Sequence, residues 1–125
     1  MMTKIKNFTD LNAWKESYKL TLLVYKATAN FPSKEIFGLT SQIRRASVSI
    51  SSNIAEGFSR RSRKEKLQFY SMAMGSLTEL ENQILIAFGV GYLKSDERNM
   101  MLSQTIIVQK LIGGLIKGVN KLGKS

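Results

Sequence analysis

The sequence predicts an all-α protein, an antiparallel up-down-up-down four-helix bundle. Apolar residues recur at spacings of three and four along four long stretches, which is the spacing of one helix face. The stretches are separated by short breaks that each contain glycine, and the only proline, Pro32, lies in the first break. Short connections between long helices favour antiparallel neighbours, so the four helices are expected to alternate in direction.

The first helix is predicted to have two apolar sides. It is expected to begin after Asp10, a good N-cap, and to end at residues 30–32, because the residue before a proline avoids the α region. One side carries Leu11, Trp14, Tyr18, Leu22, Tyr25 and Ala29, and the opposite side carries Ala13, Leu20, Val24, Ala27 and Phe31. A helix with two apolar sides is expected to bury both of them.

The second helix is predicted from about Leu39 to Glu56, with Gly57 as a C-cap in the left-handed region. A narrow apolar ridge runs along it, formed by Leu39, Ile43, Ala46, Ile50, Ile54 and Gly57. A polar stripe flanks this ridge, formed by Gln42, Arg45, Ser49, Ser52, Asn53 and Glu56. The ridge is expected to face the core.

The third and fourth helices show clear start signals. Ser62 and Glu65 have the spacing of a capping box, so the third helix is expected over about residues 63–90, and Ser95 is the expected cap of the fourth. The core face of the third helix is predicted to contain Phe69, Tyr70, Ala73, Leu77, Leu80, Ile84, Ala87 and Phe88. The later part of the fourth is predicted to bury Val108, Leu111, Ile112, Leu115, Val119 and Leu122.

Second apolar rows on three helices predict self-association. Besides the extra side of the first helix, Leu67, Met74 and Leu85 form a second row on the third, and Leu102 and Ile106 extend the fourth. Aligned apolar rows form the kind of patch that marks protein interfaces, so a homo-oligomer is expected. The alternative is that these rows are broad core faces of a single bundle.

Composition limits the function classes. The 125 residues are expected to form one domain, residues 1–125, with residues 1–9 as a flexible lead-in. The chain has no cysteine and no histidine, so the usual metal ligands and the usual general base at neutral pH are missing. No phosphate loop or nucleophile motif occurs either, and we expect a protein that is not an enzyme and has no cofactor, metal or small-molecule substrate. The apolar run 84–93 is shorter than the ~20 residues of a membrane span, and a cytoplasmic protein without membrane contacts is expected.

The net charge of +10, from 19 basic and 9 acidic residues, favours a polyanionic partner, although charge can also serve solubility alone. Its densest part is a turn after the second helix that contains Arg60, Arg61, Arg63, Lys64 and Lys66. Arginine forks match phosphate geometry, so this cluster is the candidate nucleic-acid-binding site; a solvated basic turn is the alternative. Lysines 110, 117 and 121 of the fourth helix are interpreted as a separate charged surface.

The polar stripe of the second helix is the other candidate site. Five of its residues are candidates for a hydrogen-bonded network between subunits: Gln42, Arg45, Ser49, Asn53 and Glu56. A solvated helix face is the alternative. Asn53 and Glu56 are expected to be buried. A carboxylate in the last turn of a helix is disfavoured by the helix dipole, so Glu56 is expected to pair with Arg45 or with an arginine of another chain.

The central stretch also carries a family resemblance. The runs GLTSQIRRA and SVSISSNIAEG, followed by the basic turn, resemble the proteins encoded in intervening sequences of bacterial 23S ribosomal RNA genes. DLNAWKESYKLTLLVY before them and FYSMAMGSLTELENQILIA after them fit the same family, which extends the resemblance over residues 10–93. The resemblance implies an antiparallel four-helix bundle, a ring-shaped homopentamer and a role near RNA or ribonucleoprotein, and it implies no catalytic residue.

These observations predict a small basic oligomeric adaptor that binds RNA or a ribonucleoprotein through electrostatics. The alternative is a homo-oligomeric protein-binding scaffold with no nucleic-acid role, whose charge serves solubility or an acidic partner.

Overall fold

The computed structural model describes residues 4–122, with the side chains of residues 4–121. Its four long helices are α1 (Asn12–Thr28), α2 (Leu39–Ser59), α3 (Arg63–Gly89) and α4 (Ser95–Leu122). Short 3₁₀ helices at Phe8–Asp10 and Ser33–Glu35 precede α1 and α2. The main packing pairs are α1 with α2, α2 with α3, α3 with α4 and α4 with α1. This cyclic arrangement of antiparallel helices confirms the predicted all-α four-helix bundle.

The structure buries only one of the two apolar sides of α1. The side with Ala13, Leu20 and Val24 lies in the core, whereas Tyr18 and Leu22 on the other side are about half exposed, at 48% and 51%. Two hydroxyls on the buried side donate to carbonyls one turn back, Ser17 to Ala13 and Thr28 to Val24. Burial of the second side would require another chain, so that part of the expectation stays a prediction.

The other helices bury most of their predicted core faces. The buried apolar residues of α2, α3 and α4 are Ile43, Ala46, Ile50, Ile54, Tyr70, Ala73, Leu77, Leu80, Ile84, Ala87, Met101, Val108 and Ile112. Leu85 and Ile106, from the predicted second rows, are exposed on the surface of the chain. The predicted core position Leu122 lies outside the described side chains.

The start of α1 differs from the prediction. Its N-cap position is Leu11, without a side-chain cap, because Asp10 belongs to the preceding 3₁₀ turn. The Asp10 carboxylate accepts the backbone N–H groups of Lys6 and Asn7, and these bonds lower the pKa of Asp10. Part of the predicted lead-in thus has regular structure; residues 1–3 lie outside the described range.

Two other helix ends also differ from the prediction. The helix α2 runs through Gly57 to Ser59, so Gly57 is not a C-cap in the left-handed region. Ser95 is the first residue of α4 rather than its cap, because the carbonyl of Lys94 accepts the first helical bond from Arg98.

The end of α3 follows the prediction, with Gly91 at a φ of 88°. The backbone N–H of Tyr92 donates to the carbonyl of Ala87, and the N–H of Gly91 donates to the carbonyl of Phe88. These two bonds form the Schellman motif.

Candidate nucleic-acid interface

The basic turn lies at one end of the bundle, where three residues, 60–62, connect α2 to α3. Ser62 caps α3, and its hydroxyl accepts the backbone N–H of Glu65 at 3.1 Å. The cap holds the chain in extended geometry immediately before Arg63. The predicted start of α3 is therefore confirmed, but only half of the predicted capping box forms, because the Glu65 carboxylate accepts no described bond from the Ser62 backbone.

Lys66 differs from the rest of the cluster because its ammonium group is engaged within the chain. Its Nζ donates to the carbonyls of Gly57 at 3.1 Å and Phe58 at 2.9 Å, near the C-terminus of α2. Partial burial lowers the pKa of Lys66. This lysine caps a helix end, where a positive charge is favourable, and it is less available to a phosphate than its neighbours.

Of the other four basic residues of the turn, two have partners within the chain and two do not. Arg60 pairs with Glu56 at 3.1 Å and stacks over the Phe69 ring at 4.8 Å, while Arg63 donates to Asn120 at 2.9 Å. Arg61 and Lys64 are exposed, and neither makes a side-chain hydrogen bond or ion pair with the residues that the structure describes. These two side chains are the ones most available to a ligand.

The contact between Arg63 and Asn120 joins the turn to the end of α4. Lys117 and Lys121 lie within one turn of Asn120, so both belong to the same end of the bundle as Arg61. The interpretation of the α4 lysines as a separate surface is corrected for these two residues. Together, residues 56–66 and 117–121 contain seven basic side chains and two carboxylates.

The opposite end of the bundle is more balanced in charge. The exposed lysines there, Lys34 and Lys94, have carboxylates nearby in sequence, including Glu35, Asp96 and Glu97. Glu97 accepts the N–H of Lys94 at 2.9 Å, and Glu35 accepts the hydroxyl of Tyr92 at 2.8 Å. The positive charge is therefore concentrated at the end that carries the basic turn.

Part of the polar stripe of α2 is hydrogen-bonded within one chain. The hydroxyls of Ser49 and Ser76 lie 2.9 Å apart between α2 and α3, and the amide of Asn53 donates to the Ser49 carbonyl at 2.9 Å. Ser49 and Asn53 are half-buried, whereas Gln42, Arg45 and Glu56 are exposed. A role of the stripe between subunits stays a prediction.

Glu56 departs from its expected environment in the single chain. Its side chain is 53% exposed, and its basic partner is Arg60, one turn ahead, rather than Arg45. The pair offsets the unfavourable position of a carboxylate near the end of a helix. Exposed pairs of this kind contribute little to stability, typically ~0.2–1 kcal/mol.

Replacing Asn53 by alanine should destabilise the protein by about 0.5–1.5 kcal/mol, because the half-buried Ser49 hydroxyl and carbonyl lose a donor. Replacing Glu56 by alanine should change the free energy of unfolding by within about 0.5 kcal/mol. Chemical denaturation at one fixed protein concentration measures both changes. An equal or larger cost at Glu56 would contradict the exposed environment and indicate that an assembly buries its carboxylate.

Two hydrogen bonds at these sites, Ser49–Ser76 and Arg63–Asn120, could not be predicted from the sequence. Ser76 is 27 residues from Ser49, and Asn120 is 57 residues from Arg63. Helical periodicity places each residue on a face of its own helix but does not give the register of one helix against another.

Among the described residues, no group of three or more acidic, histidine or cysteine side chains is placed to hold a metal ion. None of the helices within residues 4–122 is long and apolar enough to cross a membrane.

Comparison with known proteins finds the following similarities. The sequence profile of the family described as 23S rRNA-intervening sequence protein matches residues 9–114. The fold is similar to the crystal structure of a protein of unknown function from the S23 ribosomal protein family of Bacteroides thetaiotaomicron VPI-5482, with a TM-score of 0.76 and 20% identity. That alignment covers 84% of this chain and 95% of the other. Comparison with curated proteins finds no match.

Proposed function

Because the chain belongs to the 23S rRNA-intervening sequence protein family, we propose that it binds RNA or a ribonucleoprotein as a small basic adaptor without catalysis. The observation that carries the proposal is the Arg63–Asn120 contact, which joins the basic turn and the end of α4 into one positive surface. Arg61 and Lys64 supply donors at its centre, and Lys117 and Lys121 extend it. Such a surface would contact phosphates rather than base edges, so binding is expected to tolerate sequence changes.

RNA binding by the parent protein tests this proposal directly. Fluorescence anisotropy with several RNAs of unrelated sequence, between 50 and 200 mM salt, should give similar affinities that fall steeply as salt increases. The reason is that each neutralised phosphate releases counterions, which gives a log–log slope of roughly 0.7–0.9 per neutralised phosphate. Absence of RNA and DNA binding at 50 mM salt would exclude this function.

The proposed adaptor is a homo-oligomer in the cytoplasm, and the pentamer is the favoured state. Support comes from apolar surface that the single chain leaves exposed, on α1 at Tyr18, Leu22 and Tyr25, on α3 at Leu85 and on α4 at Ile106. Repetition of the basic end in a ring would let weak phosphate contacts add along one RNA, where the geometry permits simultaneous contact.

Light scattering at micromolar concentration should give a mass several times the 14.1 kDa of the chain, with five copies the favoured number. The physical reason is that association removes the exposed apolar rows from water. A monomeric mass at that concentration would contradict the oligomer and leave the apolar rows without an explanation.

The same apolar surface favours the alternative function, a homo-oligomeric protein-binding scaffold. In that case the protein would form the oligomer and bind no nucleic acid at low salt. The two measurements above therefore separate the alternatives, since RNA binding is expected for the adaptor alone.

A further inference from the structure

A groove on the outer side of the α1–α2 pair has the side chains of an anion site. It is lined by the first half of α2, by Tyr25 of α1 and by Ile36 of the connection between them. Arg45 in this groove and Arg60 in the basic turn are 15 residues apart on α2, or about 22 Å along the helix axis. The groove is thus distinct from the proposed RNA surface.

Two adjacent arginines, Arg44 and Arg45, line the groove. Arg44 is held in place because its Nε donates to the Thr28 hydroxyl at 2.9 Å and its guanidinium lies 4.7 Å from the centre of the Tyr25 ring. A guanidinium has five N–H donors, so most of those on Arg44 remain available. Arg45 is exposed, and among the described residues neither arginine pairs with a carboxylate.

One hydroxyl group adds to the positive lining. Thr40 is 4% exposed, and its Oγ1 has no hydrogen-bond partner among the described residues. Because this oxygen has almost no exposed area, it is closed to a ligand in the groove. Ser41 supplies the accessible hydroxyl, since it is half-buried, lines the groove and lies one turn before Arg45.

None of the described residues that line the groove is acidic. The carboxylate closest in sequence, Glu35, has both oxygens engaged elsewhere: one accepts the backbone N–H of Leu39 at 3.2 Å, and the other accepts the hydroxyl of Tyr92 at 2.8 Å. These bonds lower the pKa of Glu35 and keep it ionised where it already has partners. Glu79 of α3 lines an adjoining pocket together with Arg45 but forms no ion pair with it, so the described residues leave the charge of both arginines unpaired within the groove.

We propose that this groove binds a phosphate group through Arg44, Arg45 and the hydroxyl of Ser41. A tetrahedral phosphate has enough oxygens to accept from two guanidinium groups and a hydroxyl together, whereas a carboxylate has two oxygens and matches one guanidinium fork. The phosphate belongs either to the free ion or to a nucleotide, whose organic part would lie against the partly exposed Ile36 and Val48.

Calorimetric titration of the whole chain tests the site with two probes, inorganic phosphate and adenosine 5′-monophosphate, against sodium chloride at equal ionic strength. Arg45→Gln is the main variant, because Arg45 is exposed and its loss leaves the packing intact. It should lower the affinity for both probes about tenfold or more, which is the effect of losing a charged hydrogen bond. Lys110→Gln removes the same charge from an exposed position on α4, which is not one of the helices packed against α2, and should leave the affinity unchanged.

Ser41→Ala provides a second variant, which removes only a hydroxyl. Since the Ser41 side chain is half-buried and lies outside the core, this variant should fold about as stably as the parent protein and still bind phosphate more weakly. Tighter binding of the nucleotide than of the free ion would assign the groove to nucleotides, and equal binding would assign it to the phosphate group alone.

Three results would overturn the site. They are phosphate binding no stronger than chloride binding, equal losses in Arg45→Gln and Lys110→Gln, and unchanged phosphate affinity in Arg45→Gln. A change of molecular mass in Arg45→Gln, with no phosphate binding by the parent, would show that the groove is a contact between copies of the chain. None of these results would contradict RNA binding through the basic turn, which is measured separately.

Discussion

Glutamine at both Arg61 and Lys64 should weaken RNA binding and flatten its salt dependence, by roughly 0.7–0.9 in log–log slope for each phosphate that the variant no longer neutralises. These two residues are exposed and have no side-chain partner among the described residues, so their removal changes charge without breaking a bond within the chain. Ser62 still caps α3, and the helix should therefore keep its start. Anisotropy titrations of the variant and the parent over the same salt range measure the change in slope.

The opposite end of the bundle provides the matched control. Lys34→Gln with Lys94→Gln removes the same charge from exposed positions far from the turn and should leave the slope nearly unchanged. Lys117→Gln with Lys121→Gln should instead resemble the Arg61 and Lys64 variant, because the Arg63–Asn120 contact places these lysines on the same surface. Equal reductions in affinity from all three pairs would indicate diffuse attraction to a positive particle and contradict a localised surface.

The fold was predictable from the sequence because helical periodicity is a strong local signal. The ridge of α2 is an example: Ile43, Ile50 and Ile54 are all fully buried, as their spacing indicates. The choice between the two apolar sides of α1 was not predictable, because both have helical spacing. The buried side includes small residues such as Ala13 and Ser17, which allow close packing in the core, whereas the exposed side has the larger Tyr18 and Leu22.

The candidate site was predictable only in part. The density of basic residues identified the turn, but charge counting treats Lys66 and Arg61 alike. The structure separates them, because Lys66 caps α2 through two carbonyls whereas Arg61 is exposed. The participation of α4 depends on contact between residues 57 positions apart, and no local pattern encodes it.

Gly57 shows how a local rule can point to the wrong physical cause. A glycine near the end of a helical pattern commonly adopts a positive φ, but among the described glycines only Gly91 does so. Gly57 is instead buried within α2 and faces the ring of Tyr70 on α3. A Cβ at position 57 would lie 2.5 Å from Cε1 and 2.8 Å from Cδ1 of that ring. The glycine is therefore required by the close approach of two helices.

Gly57→Ala should for this reason destabilise the protein, although alanine is the better helix former. Overpacking of a well-packed core costs about 1–3 kcal/mol, and relief requires movement of Tyr70, which is only 3% exposed. The gain in helix propensity offsets about 1 kcal/mol of that cost. Chemical denaturation at fixed protein concentration should thus show a net loss of up to about 2 kcal/mol.

Gly114→Ala is the matched control for Gly57→Ala, because an added Cβ at Gly114 in α4 meets no atom within 4 Å. It should stabilise the helix by up to about 1 kcal/mol, so the two glycine-to-alanine changes are expected to have opposite signs. Combining Gly57→Ala with Tyr70→Leu should remove part of the clash, and the double variant should be more stable than the sum of the two single changes predicts. A Gly57→Ala protein as stable as the parent, or strict additivity in the double variant, would show that the contact with Tyr70 does not determine the residue at position 57.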